Sequence, residues 1–503
     1  MSVKTDRNMA MAYYSRGVDH GQLGEYEEAM ADFTEAIRLD PNFAEAYYAQ
    51  GLAHTELNEY EEAIADYSDA IRLDANLVEA YYHRGDAYYL LAQYAEAAAD
   101  FAETIRFDPD FAGAYYGRGL VHADVGEWEQ AVAHYSQAIR LDPSLAGAYL
   151  GRGFSHLEVS NYRQAVADFT ETISLDASTT SAYFGRGLAY RQLGECNRAI
   201  ADLTEAIRLE PNFAEAHHSR GLAHQLLGQH RQAIADFSEA IRLNPDYADA
   251  YHGRGVAHAE LGKYEQAIAD YSEAIRLDPN IASAYNNRGV AHSYLGEYEP
   301  AIADFAEALR LKPDYPEAYS NRSFARTHLG EYEDAIADYT EVIRLDPNFA
   351  GAYNGRGFAH AKLGEYEEAI TDYTEAIRID PNYAEAYHAR GVAHAELGRN
   401  EQAIADLSEA IRLDPNYAMA YFNRGGAYVE LDQYEEAVSD FTQAIRLDPN
   451  HAGARYNRGL AHYYVDQYQQ AIADFESYLR LAPPDDPYRT EAQECIDEMR
   501  GQQ

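Results

Sequence analysis

Apolar and small residues return along this chain at a fixed interval of 34 residues, in two short runs per interval. With positions numbered 1–34 from Ala10, a tyrosine stands at position 4 in twelve of fourteen intervals and a glycine at position 8 in thirteen, Ser323 being the exception. Position 20 is alanine in all fourteen, and position 24 is Tyr or Phe except at Leu203 and Leu407. Spacings of three and four residues mark one face of an α helix, so each interval predicts two amphipathic helices. The boundaries carry their own signals. Asn42 reads as an N-cap with Glu45 three residues later, and glycines such as Gly262 and Gly364 suit the end of the first helix. The second helix opens with acids, as in Glu365, Glu367 and Glu368, and closes with a base such as Arg378, matching the helix dipole; Pro381 then stops it.

The phrase Ala-Ile-Arg-Leu-Asp-Pro-Asn fixes the register. Its prolines run from Pro41 through Pro109, Pro143, Pro211 and Pro245 to Pro449 with no insertion or deletion. Fourteen intervals fill residues 10–485, leaving a lead-in of residues 1–9 and a tail of 486–503. Small residues at positions 8 and 20 let two helix backbones approach, with the large rings packed against them. One such pair buries too little surface to stand alone, so neighbours must stack. In the tail, Ala492, Cys495, Ile496 and Met499 recur at helical spacing and predict an amphipathic capping helix.

In the eighth interval the pattern is Tyr251, Gly255, His258, Ala267, Tyr271, Ala274 and Pro279. On these residues the chain resembles the tetratricopeptide repeat proteins over roughly 95% of its length. The resemblance implies an all-α, right-handed superhelical solenoid of fourteen 34-residue helix-turn-helix repeats, and a role in protein–protein interaction rather than catalysis. The departures are an arginine at position 7 in thirteen repeats (Gln50 is the exception) where leucine is usual, and histidine ten times at position 11, where tyrosine is usual.

Composition narrows the partners. The 503 residues hold 40 Lys and Arg against 84 Asp and Glu, a net charge of −44. Nucleic acid and anionic membrane surfaces draw on clustered cations and are excluded as partners; basic or neutral protein segments are not. No apolar run is long enough to span a bilayer, and Met1 to Ala10 hold no apolar signal core. Cys196 and Cys495 are far apart and fit no metal or redox spacing, so a reducing cytoplasm is the expected location.

The tempting constellations reduce to repetition. Histidines at one position per repeat stand a helix diameter apart, ~10 Å, too far to share a zinc ion. Arginines at positions 7 and 29 supply 26 of the 40 basic residues, and aspartate fills position 23 in all repeats but one, where His134 stands. Such regularity reads as a repeated structural ion pair, although the sequence does not say which acid meets which arginine. No nucleophile elbow, phosphate loop or metal motif is present, so neither catalysis nor a cofactor is expected.

The resemblance places a peptide-binding groove on the first helices, at positions 2, 5, 9 and 12. Position 5 is aromatic toward both ends of the array, with Tyr14, Tyr48, Tyr82, Tyr116 and Phe184 before a polar middle and Phe422 and Tyr456 after it; Tyr463 adds a ring at position 12. Asn287, Asn321, Asn423 and Asn457 stand at position 6, where some members of the family use asparagine to bond a peptide backbone. Positions 2, 5 and 6 hold no Lys or Arg, so the basic clamp of chaperone-adaptor members is not expected. These residues form the candidate groove, acidic and aromatic, for a basic or neutral segment. Two alternatives stand beside it: the rings pack on the next repeat, or the solenoid is a structural element that associates with its own copies.

Overall fold

The computed structural model describes residues 2–501, and every regular element among them is an α helix. Each repeat gives two: in the second repeat, Ala44–Glu56 and Tyr60–Leu73; in the last, Ala452–Tyr464 and Tyr468–Leu481. The helix Arg489–Gly501 follows them. The helix of the first repeat spans Ser2–Gln22, so the described part of the lead-in continues it. The chain forms two compact units, one ending at Ala257 and the other beginning at His258. Within each, successive helices pack in order, and first helices of neighbouring repeats also touch: Val78–Leu90 meets Ala112–Asp124 in one unit, and Ala350–Lys362 meets Ala384–Glu396 in the other.

The small residues act as the pattern predicts. The position-20 alanines, among them Ala29, Ala267 and Ala471, are fully buried. Rings at position 24 lie against the position-8 glycine of their own repeat, and often against a small residue at position 6 of the next. A Cβ on Gly153 would stand 2.7 Å from the Phe169 ring, and one on Gly185, 2.4 Å from the same ring. One aromatic side chain thus holds two repeats together. Where Ser323 replaces the glycine, its side chain is fully buried and its hydroxyl donates to the Ser320 carbonyl at 2.7 Å.

Two turns alternate. After each first helix the residue at position 15 adopts the left-handed conformation, with φ from 69° to 79° at nine glycines such as Gly262. Asn58, Ala92, Ser160, Asp432 and Asp466 take the same conformation without glycine, and for Ala92 and Ser160 this carries a steric cost. The second turn corrects the expectation that Asn42 caps the helix. The helix after Asn42 starts at Ala44, with Phe43 at its cap and no side-chain cap bond. Asp40 organises this turn by accepting the Asn42 N–H at 3.2 Å, and Asp380 does the same for Asn382 at 3.0 Å.

The arginine rows are structural. Arg152 donates to both oxygens of Asp168, sixteen residues on, at 3.0 and 2.6 Å, and its third nitrogen donates to Ser136 of the preceding repeat at 3.0 Å. Its guanidinium stacks over Tyr149 at 5.6 Å. The same pair recurs from Arg16–Asp32 to Arg458–Asp474. Most position-29 arginines bond the residue one turn earlier, commonly a glutamate, as Arg276 does Glu273 at 2.6 Å. Some position-11 histidines lie between acids: His292 reaches Glu297 at 2.6 Å and Asp304 at 3.9 Å.

Two rungs are incomplete. In repeat 2, Gln50 donates to Thr34, so Asp66 lacks its arginine; His54 meets it at 2.7 Å, and burial pushes its carboxyl above the usual range. In repeat 4, His134 replaces the aspartate and stacks on His122 with centroids 5.0 Å apart; burial and the nearby Arg118 charge lower its pKa to about 4.

Candidate functional site

The first-helix face carries the side chains that the packing rows leave over. Position 5 sits at its inner edge. Tyr14 packs between Phe33 and Phe43 at 6.0 and 4.9 Å, and Tyr82 between Phe101 and Phe111 at 6.0 and 4.8 Å. Tyr48 rests on Tyr67 and on His83 of the next repeat, Tyr116 on Tyr135, Phe184 on Phe213, and Phe422 between Phe441 and His451. These rings are half-buried and brace the junction between repeats. Burial is the main cause that raises the Tyr48 hydroxyl to about 12.

Tyr456 belongs elsewhere. It is 7% exposed and packs against Phe475, Tyr478 and Tyr488 beneath the terminal helix Arg489–Gly501, in a cluster with Ala492, Ile496 and Met499. Tyr463 sits at the edge of that cluster, its hydroxyl 3.4 Å from Glu498. The neighbouring Tyr464 is exposed and stacks on Tyr434 at 4.7 Å.

The asparagines divide. In the unit beginning at His258, Asn286 donates to Asn287 at 3.2 Å and accepts from Asn321 at 3.1 Å, a polar relay across two repeats. Asn423 lies 2.9 Å from the His388 ring nitrogen, and Asn457 is half-buried.

Asn321 also lies on two hollows. One of about 360 Å³ is lined by Val290, Ser293, Tyr294, Tyr298, Asn321, Phe324 and His328, with Phe305 at its floor. Tyr294 and Phe324 are 68% and 51% exposed, while His328 stacks flat on Tyr298 at 4.8 Å. The second, of about 300 Å³, takes in Pro316, Glu317, Ser320, Asn321, Val342 and Phe349. Phe324, Tyr294 and His328 were not among the residues expected here. Phe324 at position 9 is legible as groove-facing, but Tyr294 and His328 stand at position 13, where the helix ends, and only the stacking of repeats brings them onto the hollow.

Among the described residues no group of three His, Cys, Asp or Glu is placed to hold a metal ion, and no helix is long and apolar enough to cross a membrane. No curated protein matches the chain. Among solved structures it is similar to a chain of the APC/C hetero-tetramer Cut9–Hcn1, at 18% identity over 96% of this chain and 95% of that one, TM-score 0.39. It is also similar to YrrB, described as a TPR protein with an unusual peptide-binding site, at 24% identity over 37% and 95%, TM-score 0.33. A third is a tetratricopeptide repeat protein from Parabacteroides merdae, at 18% identity over 50% and 98%, TM-score 0.39. The family model described as TPR repeat matches residues 20–160, 187–296 and 325–432 in overlapping copies, and models described as tetratricopeptide repeat match 282–315 and 427–497. With paired helices, small-residue contacts and family models running along most of its length, the chain belongs to the tetratricopeptide repeat family.

Proposed function

We propose that this protein is a non-catalytic scaffold that holds extended protein segments against its first-helix face. The observation that carries this reading is the pair of hollows sharing Asn321. An exposed Phe324 and Tyr294 stand beside a hydrogen-bonding amide, at a volume in the lower range of ligand pockets. Apolar walls take a side chain while the amide bonds a backbone group. The favoured segment is basic or neutral: the net charge is −44, and most arginines of positions 7 and 29 pair within the fold, as Arg152 does with Asp168 and Arg276 with Glu273. Two free thiols, one of them buried, support a reducing compartment such as the cytoplasm.

A displayed library of random nonapeptides selected on the whole chain tests the reading. Selected peptides should bind the variant N321A/F324A about tenfold more weakly, as loss of a central aromatic anchor does, with helicity unchanged. Equal affinity for the variant and the original chain would overturn it.

A further inference from the structure

Position 9 of the repeat is Val, Leu or Phe in twelve repeats and glycine at Gly426; in repeat 3 it is Asp86. This carboxylate stands on the first helix Val78–Leu90, one turn after Tyr82, in the most aromatic stretch of the candidate face. Tyr82 is hydrogen-bonded to it, and Tyr67 and Tyr116 lie near enough to feel its charge. The His83 ring nitrogen is 4.0 Å away, in a ring lying between Tyr48 and Tyr82 at 5.9 and 5.1 Å. Burial lowers the pKa of His83, so this imidazole is a poor counter-ion at neutral pH. Burial likewise pushes the Asp86 carboxyl up to about 7, against the opposing hydrogen bond from Tyr82.

Among the described residues, no lysine or arginine pairs with Asp86. Arg84 faces away, engaged by Asp100 at 2.7 and 2.8 Å and by Ser68 at 2.8 Å. The nearby acids Glu79 and Asp124 interact with the surrounding rings and add to the negative field. A half-buried carboxylate without a cation carries a desolvation cost that an apolar residue at this position would avoid. The chain itself shows what satisfies such a group: several position-23 aspartates receive a guanidinium that also lies over a tyrosine, as in Arg186 with Asp202 and Tyr183.

We infer that Asp86, walled by Tyr82, Tyr116 and His83, is a specificity site that takes an arginine side chain of a bound protein segment. The guanidinium supplies the paired donors the carboxylate lacks and lays its plane on the rings, reproducing from a partner the clamp the fold builds for itself sixteen residues apart. This rests on the first-helix face being the binding face, and it places a second anchor in the unit that ends at Ala257.

The test uses the same nonapeptide library on the whole chain, with Asp86→Leu and Asp86→Asn for counter-selection. Leucine restores the usual residue of the position, and asparagine keeps the shape without the charge. Peptides retained by the original chain and lost on both variants should carry arginine, and replacing it by citrulline should weaken binding about fivefold or more, while the same replacement has no effect on binding to either variant. Lysine in its place would overturn the guanidinium assignment. Peptides bound equally by all three chains would overturn the site while leaving the face intact. A library in which nothing is enriched would overturn both.

Discussion

Replacing Arg220 by glutamine copies into repeat 7 the break that repeat 2 carries at Gln50. Arg220 donates to Asp236 at 2.6, 3.1 and 3.2 Å and to Thr204 of the preceding repeat at 3.0 Å. Burial pushes the Asp236 carboxyl up, but the nearby His217 ring, the hydrogen bonds from Arg220 and the guanidinium charge outweigh it and hold the group below the ordinary range. Removing one partner of a fully buried pair costs about 3–5 kcal/mol. Here the Arg220 side chain is 19% exposed, and His217 and His224 stand 3.9 and 3.7 Å from the carboxylate, ready to move in as His54 does for Asp66. The expected cost at pH 7.5 is therefore about 2 kcal/mol, or roughly thirtyfold faster opening of the repeat.

The sign of the pH dependence follows from the same carboxylate. In the original chain its folded pKa is depressed, so it stabilises above the unfolded value of about 4 and loses that contribution in acid. In the variant the folded pKa rises above the unfolded one, so the folded state holds a proton that the unfolded state releases. Stability then falls as pH rises between the two values, and the deficit shrinks toward pH 5. Hydrogen exchange of peptides from residues 214–247, measured at pH 5.5 and 7.5, reads both effects without assuming that the array unfolds in one step. The double variant R220L/D236L, which removes both charges, should lie close to the original chain. Exchange in R220Q within twofold of the original at both pH values would refute the reasoning.

Gly119→Ala should cost about 1–3 kcal/mol by overpacking: the added Cβ would stand 2.5 Å from the Tyr135 ring, which is 1% exposed, and a calorimetric transition unchanged from the original would contradict that contact. Deleting residues 488–503 should expose Tyr456, Phe475 and Tyr478, now buried with Ile496 and Met499, and remove the bonds from Arg489 to the Leu479 and Ala482 carbonyls. Fast amide exchange across residues 452–481 is the expected result, and full protection there would show that the last repeat needs no cap.

Much of the candidate face was readable in advance, because helical periodicity assigns position 5 and position 9 side chains to the first helix without any tertiary information. Their exposure was not readable. Whether Tyr48 or Tyr456 is open to a partner depends on what the following turn and helix lay over it, and for Tyr456 that is the terminal helix. The isolation of Asp86 is of the same kind: its sequence shows a charge in an apolar row, but only the placement of Arg84 and the surrounding rings leaves it without a cation.

The sequence by itself determined the period, the two helices of each repeat and the packing row of Ala267, Tyr271 and Gly255. Near-identical units meet near-identical neighbours, so the residues that touch them recur at fixed positions. Tertiary structure decided the pairings that cross helices and repeats. The sixteen residues between Arg152 and Asp168 become two hydrogen bonds only when paired helices bring their ends together, and Ser136 joins them only when the preceding repeat stacks alongside. Asp40, rather than Asn42, governs the turn because the cap lies at Phe43, one residue later than the capping signal implies, leaving the aspartate to accept the free N–H. Local spacing fixes which residues share a helix face; which of them stay open to a partner follows from how the next helix is laid across that face.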